Sequence, residues 1–263
     1  MTDTRTLSYI NLHAILGSLP MLCALDSRAG EILGKKRMTV GISVSGGSAA
    51  PGAAGILSFE NGRCTYTECA PGSPDVGDAK IVLTFPTPEK FNGMIDGTVT
   101  PIPKKGLLRA GFLTGPFTRL TDLLTAYLRP KDEDLADPAF FRISTMLMFH
   151  VIARSVCCIG NEDAVGRASA SYIPDGAVLL AAGNEISFAV RAENHRLSLS
   201  PDPTEETITA EMRFADLLTA RALFDGKINS VASVGDGLIS IRGMIPQVDN
   251  INRILDRVAL YLA

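Results

Sequence analysis

The chain has 263 residues, 46% hydrophobic and 20% charged, with 25 Lys and Arg against 28 Asp and Glu. An apolar, lightly charged chain of this length fits two folded domains and excludes an intrinsically disordered protein. No basic block is present to displace counterions, which argues against a nucleic-acid partner. Five cysteines, an odd number spread over a long chain, do not suggest a secreted disulfide framework, so the expected compartment is the cytoplasm.

In chain order, Leu12–Leu25 is an apolar helical stretch that holds His13 and Pro20 and is followed by no small-residue cleavage pattern, unlike a signal peptide. Gly30–Lys36 resembles a phosphate-binding loop only loosely and lacks its spacing and its Ser or Thr. Met38–Val44 alternates as a half-buried strand does, and a slack insertion, Gly46–Gly55, joins it to a second strand at Ile56–Phe59. Glu60-Asn61-Gly62-Arg63 is a hairpin signal. Ala79, Ile81, Leu83 and Phe85 alternate along another strand. Thr87 is placed to cap a helix that starts at Pro88, buries Phe91, Met94 and Ile95 on one face and stops at Asp96-Gly97. A last helix presents Phe117, Leu120, Leu123, Leu124 and Tyr127.

Arg129–Pro138 is polar and bounded by prolines, which predicts domains at 1–130 and 138–263 joined by a linker at 131–137. Phe140–Ile159 is apolar but carries Arg142, His150 and Arg154, and charges at mid-bilayer cost about 2.5–3.5 kcal/mol each. A buried core helix is the expectation.

The second half repeats the order of the first. Ile208, Ala210, Met212 and Phe214 alternate, Asp216 stands where Thr87 does, and Asp225-Gly226 follows Phe214 at the same distance as Asp96-Gly97 follows Phe85. Arg253–Leu262 aligns with Arg119–Leu128, sharing the arginine, the aspartate, the tyrosine and the final leucine. Glu193-Asn194-His195-Arg196 echoes the hairpin at Glu60–Arg63. Each half therefore reads as helix, antiparallel meander, short capped helix, strand and terminal helix.

Catalytic patterns are absent: there is no G-x-S-x-G, Walker loop, H-E-x-x-H or C-x-x-C. His13 and His150 sit in matching apolar helices and read as satisfied core histidines, and His195 as an exposed turn residue. Cys64, Cys69, Cys157 and Cys158 fit no zinc spacing. Asp96 and Asp225, at helix ends, are expected to bond local backbone amides. Neither a metal nor a cofactor is expected.

Asp78–Phe85, Phe91–Gly97 and Gly106–Gly115 in the first half, and Ala210–Ala220, Leu223–Asn229 and Asp236–Gly243 in the second, follow a known motif order. The chain resembles the lipid-binding domain of the sterol carrier protein type-two family, most specifically at Gly226-Lys227-Ile228-Asn229 and along Ile239-Ser240-Ile241-Arg242-Gly243. Two departures stand out: the family usually carries one copy, and Pro101 and Pro103 occupy positions held by Ser230 and Ala232 in the second half. The resemblance implies an α+β protein of two sterol-carrier-like copies, each a five-stranded, mostly antiparallel mixed sheet covered by helices around an apolar cavity.

It further implies a non-catalytic partner for a hydrophobic small molecule: a sterol, fatty acid, acyl-CoA or related lipid, bound and in some cases transferred. Membrane contact would be at most transient. The lining candidates are Phe85, Phe91, Met94, Ile95, Phe112, Phe117 and Leu120 in the first copy. In the second they are Phe214, Leu218, Phe224, Ile241, Met244, Ile251 and Leu255. For each, ordinary core packing is the competing reading. An accessory subunit that presents an apolar substrate to a partner enzyme, and an enzyme with unrecognised polar groups, stay open as alternatives.

Overall fold

The structure, a computed structural model, describes residues 2–47, 51–200 and 202–262. The chain divides into two units, Met1–Ile143 and Ser144–Ala263. The expected linker 131–137 belongs to the first, and the division falls inside the helix that follows it.

The first unit begins with helix α1 (Thr4–Leu25), capped by Asp3, whose carboxylate accepts the amides of Arg5 and Thr6. Its middle, Ile10–Ile15, widens to a π-helix before a 3₁₀ turn, and Pro20 starts the final α-helical turns where its missing N–H is harmless. Helix α2 (Ser27–Leu33) follows. Strands β1 (Arg37–Val44), β2 (Ala53–Glu60) and β3 (Arg63–Cys69) form a meander. After a short helix α3 (Pro74–Asp78), β4 (Ile81–Phe85) returns parallel to β1, giving the order β3-β2-β1-β4. Helices α4 (Pro88–Ile95) and α5 (Thr118–Leu128) complete the unit. Residues 48–50 of the expected glycine-rich insertion lie outside the described residues.

Helix α6 (Pro138–Glu162) leads into the second unit, with α7 (Ala164–Ala170) after it. Strands β5 (Gly176–Ala182), β6 (Ile186–Glu193) and β7 (Arg196–Leu199) form a second meander. Strand β8 (Ile208–Phe214) pairs parallel to β5. Helices α8 (Leu217–Phe224) and α9 (Ser230–Gly235) precede β9 (Ile239–Gly243), which pairs antiparallel to β8 and extends the sheet to β7-β6-β5-β8-β9. Helix α10 (Ile245–Leu262) ends the chain.

The fold is thus α+β with two mixed sheets, of four and five strands rather than five and five. The missing fifth strand of the first sheet has a local cause. Pro101 and Pro103 carry no amide hydrogen and cannot sustain a ladder. The segment pairs with β4 through a single bridge, Val82↔Lys105, where the Lys104 amide donates to the Val82 carbonyl at 2.8 Å and the Val82 amide to the Lys105 carbonyl at 3.1 Å.

Both meanders turn through two residues of positive φ, Asn61 with Gly62 and Asn194 with His195, the geometry of a tight twisted hairpin. Each unit also fastens its last helix to a buried capping aspartate. Asp26 accepts the Arg28 amide at 2.9 Å and the Tyr127 hydroxyl at 2.9 Å. Asp163 accepts the amides of Val165 and Gly166 at 2.9 and 2.8 Å, and the Tyr261 hydroxyl and the Arg257 guanidinium at 2.7 Å each. Burial opposes ionisation of both carboxyls, yet these hydrogen bonds, with the adjacent Arg28 and Arg257, together hold them below the usual carboxylate range.

Helices α1 and α6 are long and apolar enough to cross a membrane by length and composition. Their apolar windows are 61% and 72% buried, as expected of core helices.

Candidate functional site

The second sheet presents one apolar face in rows set by its register. Leu180, Met212 and Ile241 lie side by side across β5, β8 and β9, and Phe214 pairs with Ile239 in the next row. Helices α6 and α10 do not fill the space over these rows. A cavity of about 670 Å³ remains in the second unit, within the range of about 300–1,000 Å³ typical of small-molecule sites.

Its walls follow from the periodicity of each element. The sheet contributes Leu180, Met212, Phe214, Ile239 and Ile241. From α6 come Met148, Phe149, Ile152 and Ala153, two pairs one turn apart. Rings of Phe149, Phe214 and Phe224 form a triangle with centroids 5.7–6.0 Å apart, a spacing typical of favourable aromatic pairs. Helix α10 supplies a stripe at intervals of three and four, Ile245, Val248, Asn252, Leu255, Ala259 and Leu262. At 1.5 Å per residue this stripe runs about 26 Å along the helix.

Glycine at 243 makes this arrangement possible. Its φ is +81°, and a Cβ there would run into the Thr209 carbonyl, so the chain can turn sharply from β9 into α10. Gln247 then fixes the helix start, donating to the Pro174 carbonyl at 3.0 Å and meeting the Thr209 hydroxyl at 2.8 Å.

The described polar lining consists of Ser230, Asp249, Asn252 and Asp256. Asp249 and Asp256 are exposed, which places them at the mouth, and Asp249 pairs with Arg253 at 3.1 Å. The described wall contains no histidine, cysteine or lysine. Among the described residues no group of three His, Cys, Asp or Glu converges as a metal site would.

Of the lining candidates in the second unit, Phe214, Phe224, Ile241 and Leu255 come together in the cavity wall. The others lie elsewhere. Leu218 is 66% exposed on the outer side of α8, Met244 is 40% exposed at the β9–α10 turn, and Ile251 is fully buried on the core side of α10. In the first unit Phe85 packs on Phe91 with centroids 5.2 Å apart, while Phe112 and Phe117 pack around Phe59 at 5.3 and 6.2 Å. Leu120 is fully buried, and Met94 and Ile95 are half-buried.

Sequence reasoning missed Met148, Phe149, Ile152, Leu180, Val248 and Asn252. Ile239 was within reach, since it alternates with Ile241, whereas α6 is apolar on nearly every face and its cavity side could not be picked out.

His13, His150, Cys64 and Asp225 are not among the described residues of the cavity wall. His13 Nδ1 lies 2.6 Å from the Tyr66 hydroxyl. His150 departs from the expectation of a satisfied histidine: its Nδ1 is buried without a hydrogen-bond partner. Burial first, and Arg154 second, lower its pKa to about 4. The Cys64 thiol is pushed up by the hydrogen bond it shares with Cys23 and by burial, which makes it a poor nucleophile. Asp225 bonds side chains, Arg221 at 2.8 Å and Lys227 at 3.1 Å, rather than the expected backbone amides, because Arg221 lies one turn before it on the helix and Lys227 reaches back from beyond the helix end.

No family model matches the chain, and no curated protein matches it. Among solved structures it is similar to sterol carrier protein 2 from Yarrowia lipolytica in its apo form, with 13% identity and a TM-score of 0.31, covering 41% of this chain and 88% of that one. A likeness of that depth leaves the function to be argued from the cavity.

Proposed function

We propose that the second unit holds a water-insoluble small molecule of the lipid class in its cavity, without chemical change, and that the two units are copies of one design. The observation that carries the first statement is the cavity of about 670 Å³, with an apolar wall and its carboxylates at the mouth. Taking liquid water's share of about 30 Å³, it has room for about twenty water-sized groups. Burying about ten methylenes at about 0.8 kcal/mol each gives about 8 kcal/mol. That is the free energy of a micromolar Kd, before the cost of ordering the guest is deducted.

Selectivity is expected to be low, because methylene burial has no direction and only a few polar groups join the apolar wall. A sterol, a fatty acid or a related long-chain molecule fits these terms. The copy statement draws on the shared order of the first four strands and on the capping aspartate that accepts the terminal-helix tyrosine in both units.

Native mass spectrometry of gently purified protein tests the binding reading. A retained apolar molecule, or the added mass of one long-chain fatty alcohol on titration, is the expected result. A spectrum that stays at the bare chain mass across the titration would overturn it.

A further inference from the structure

Among the described residues the two most exposed large aliphatic side chains, Leu108 and Ile102, lie with Leu107 in one short segment of the first unit. Ile102, Leu107 and Leu108 are 81%, 66% and 103% exposed. Isolated surface leucines need no explanation, but three large aliphatic side chains within seven residues do. The same segment carries Lys104, Lys105 and Arg109, all exposed. Between Asp96 and Asp122 the chain has four cations, the fourth being Arg119, and no acid, although its overall charge is −3.

The segment is held rather than slack. Its backbone is tied to β4 through Val82 and Lys105, and the Lys105 ammonium donates to the Gly77 carbonyl at 2.9 Å. Gly106 takes a φ of +85° where a Cβ would strike the Lys80 carbonyl. Leu107–Arg109 forms one 3₁₀ turn, after which Phe112 and Leu113 are buried. The loop is therefore anchored at both ends while its aliphatic tips project into water.

We propose that residues 102–109 dock the protein on a lipid surface rich in anionic headgroups, with Ile102, Leu107 and Leu108 entering the acyl boundary and Lys104, Lys105 and Arg109 lying among the headgroups. Projecting aliphatic tips ringed by cations match the layered chemistry of a bilayer interface. A stable protein partner would cover about 800 Å² on this side, more than an eight-residue loop alone supplies. The proposal does not depend on what the cavity of the second unit holds.

The test uses the full chain and vesicles of phosphatidylcholine with or without 30 mol% phosphatidylserine. The protein is expected to co-sediment with the anionic vesicles, to bind neutral ones far more weakly, and to detach as salt is raised. At about 1 kcal/mol for each cation near an anionic leaflet, or about fivefold in partitioning, the K104Q/K105Q/R109Q variant is expected to bind about a hundredfold more weakly. The I102S/L107S/L108S variant is expected to lose binding while melting as the parent does.

The chain contains no tryptophan, so Leu108→Trp supplies a single reporter. Its emission is expected to shift to the blue on anionic vesicles and to be quenched by brominated acyl chains. Absence of binding to anionic vesicles, equal binding to neutral ones, or binding that both triple variants retain would overturn the proposal. An introduced tryptophan that stays in water when the protein is vesicle-bound would do the same.

Discussion

Phe224→Asp puts a carboxylate into the cavity wall at a position that is only half-buried. In the empty protein that carboxylate can stay hydrated at the opening. The loss to folding is then the two ring contacts, with Phe149 at 5.7 Å and Phe214 at 6.0 Å, at about 0.5–1.5 kcal/mol each beyond the area they bury, and about 1 kcal/mol for the apolar area of the half-buried ring. Stability should fall by about 2–4 kcal/mol and the fold should survive. A bound alkyl chain, by contrast, would strip water from the carboxylate, at several kcal/mol for an uncompensated charge.

Affinity should therefore drop at least a hundredfold at neutral pH and recover in part as the new carboxyl protonates. Displacement of a fluorescent long-chain fatty acid, run beside a thermal melt, reads both quantities. Leu218→Asp is the matched control, because it is on the same helix but 66% exposed and outside the wall; its affinity should be unchanged. A folded Phe224→Asp protein that binds as the parent does would refute the reasoning.

Asp163→Ala removes a helix cap, an ion pair and the acceptor of the Tyr261 hydroxyl, and should cost about 3–5 kcal/mol in urea unfolding, against about 1.5–3 kcal/mol for Tyr261→Phe. Since the Asp163 pKa is lowered in the folded state, its stabilisation is present above the ordinary carboxylate value of about 3.9. It fades as pH falls through the folded value, an acid limb that Asp163→Ala should flatten. His150 has a folded pKa of about 4 against 6.5, so the unfolded chain binds the extra proton between those values. Stability should be full above pH 6.5 and fall by about 3 kcal/mol toward pH 4, and His150→Leu should remove that slope in pH-dependent melts. Gly243→Ala should cost more than about 1 kcal/mol and loosen the start of α10, read as a lowered Tm and a faster amide exchange at Val248.

Much of the architecture was legible because it is written in local signals. The Asn61-Gly62 turn, the Asp216 cap, whose carboxylate accepts the Thr219 amide at 2.7 Å, and the alternation ending at Phe214 each depend on residues close in sequence. The fifth strand of the first sheet failed for an equally local reason, the two prolines, whose full consequence becomes clear only when β4 is seen without a continuous partner. The cavity was less legible. Whether an inward-facing residue meets a neighbour or an empty space depends on the distance between α10 and the sheet, which no periodicity encodes. Ile251 and Leu255 share the same helical pattern, yet one is core and the other wall. Phe85 and Phe214 end equivalent strands, yet Phe85 packs against Phe91 while Phe214 lines the cavity with Phe149 and Phe224.

Photoaffinity labelling with a long-chain diazirine, followed by peptide mapping, locates the guest directly. Label concentrated on 239–262 and on 148–153, and displaced by excess unlabelled fatty alcohol, is the predicted outcome. Label spread over the surface, or confined to peptides outside the second unit, would contradict a guest held between α6, β9 and α10.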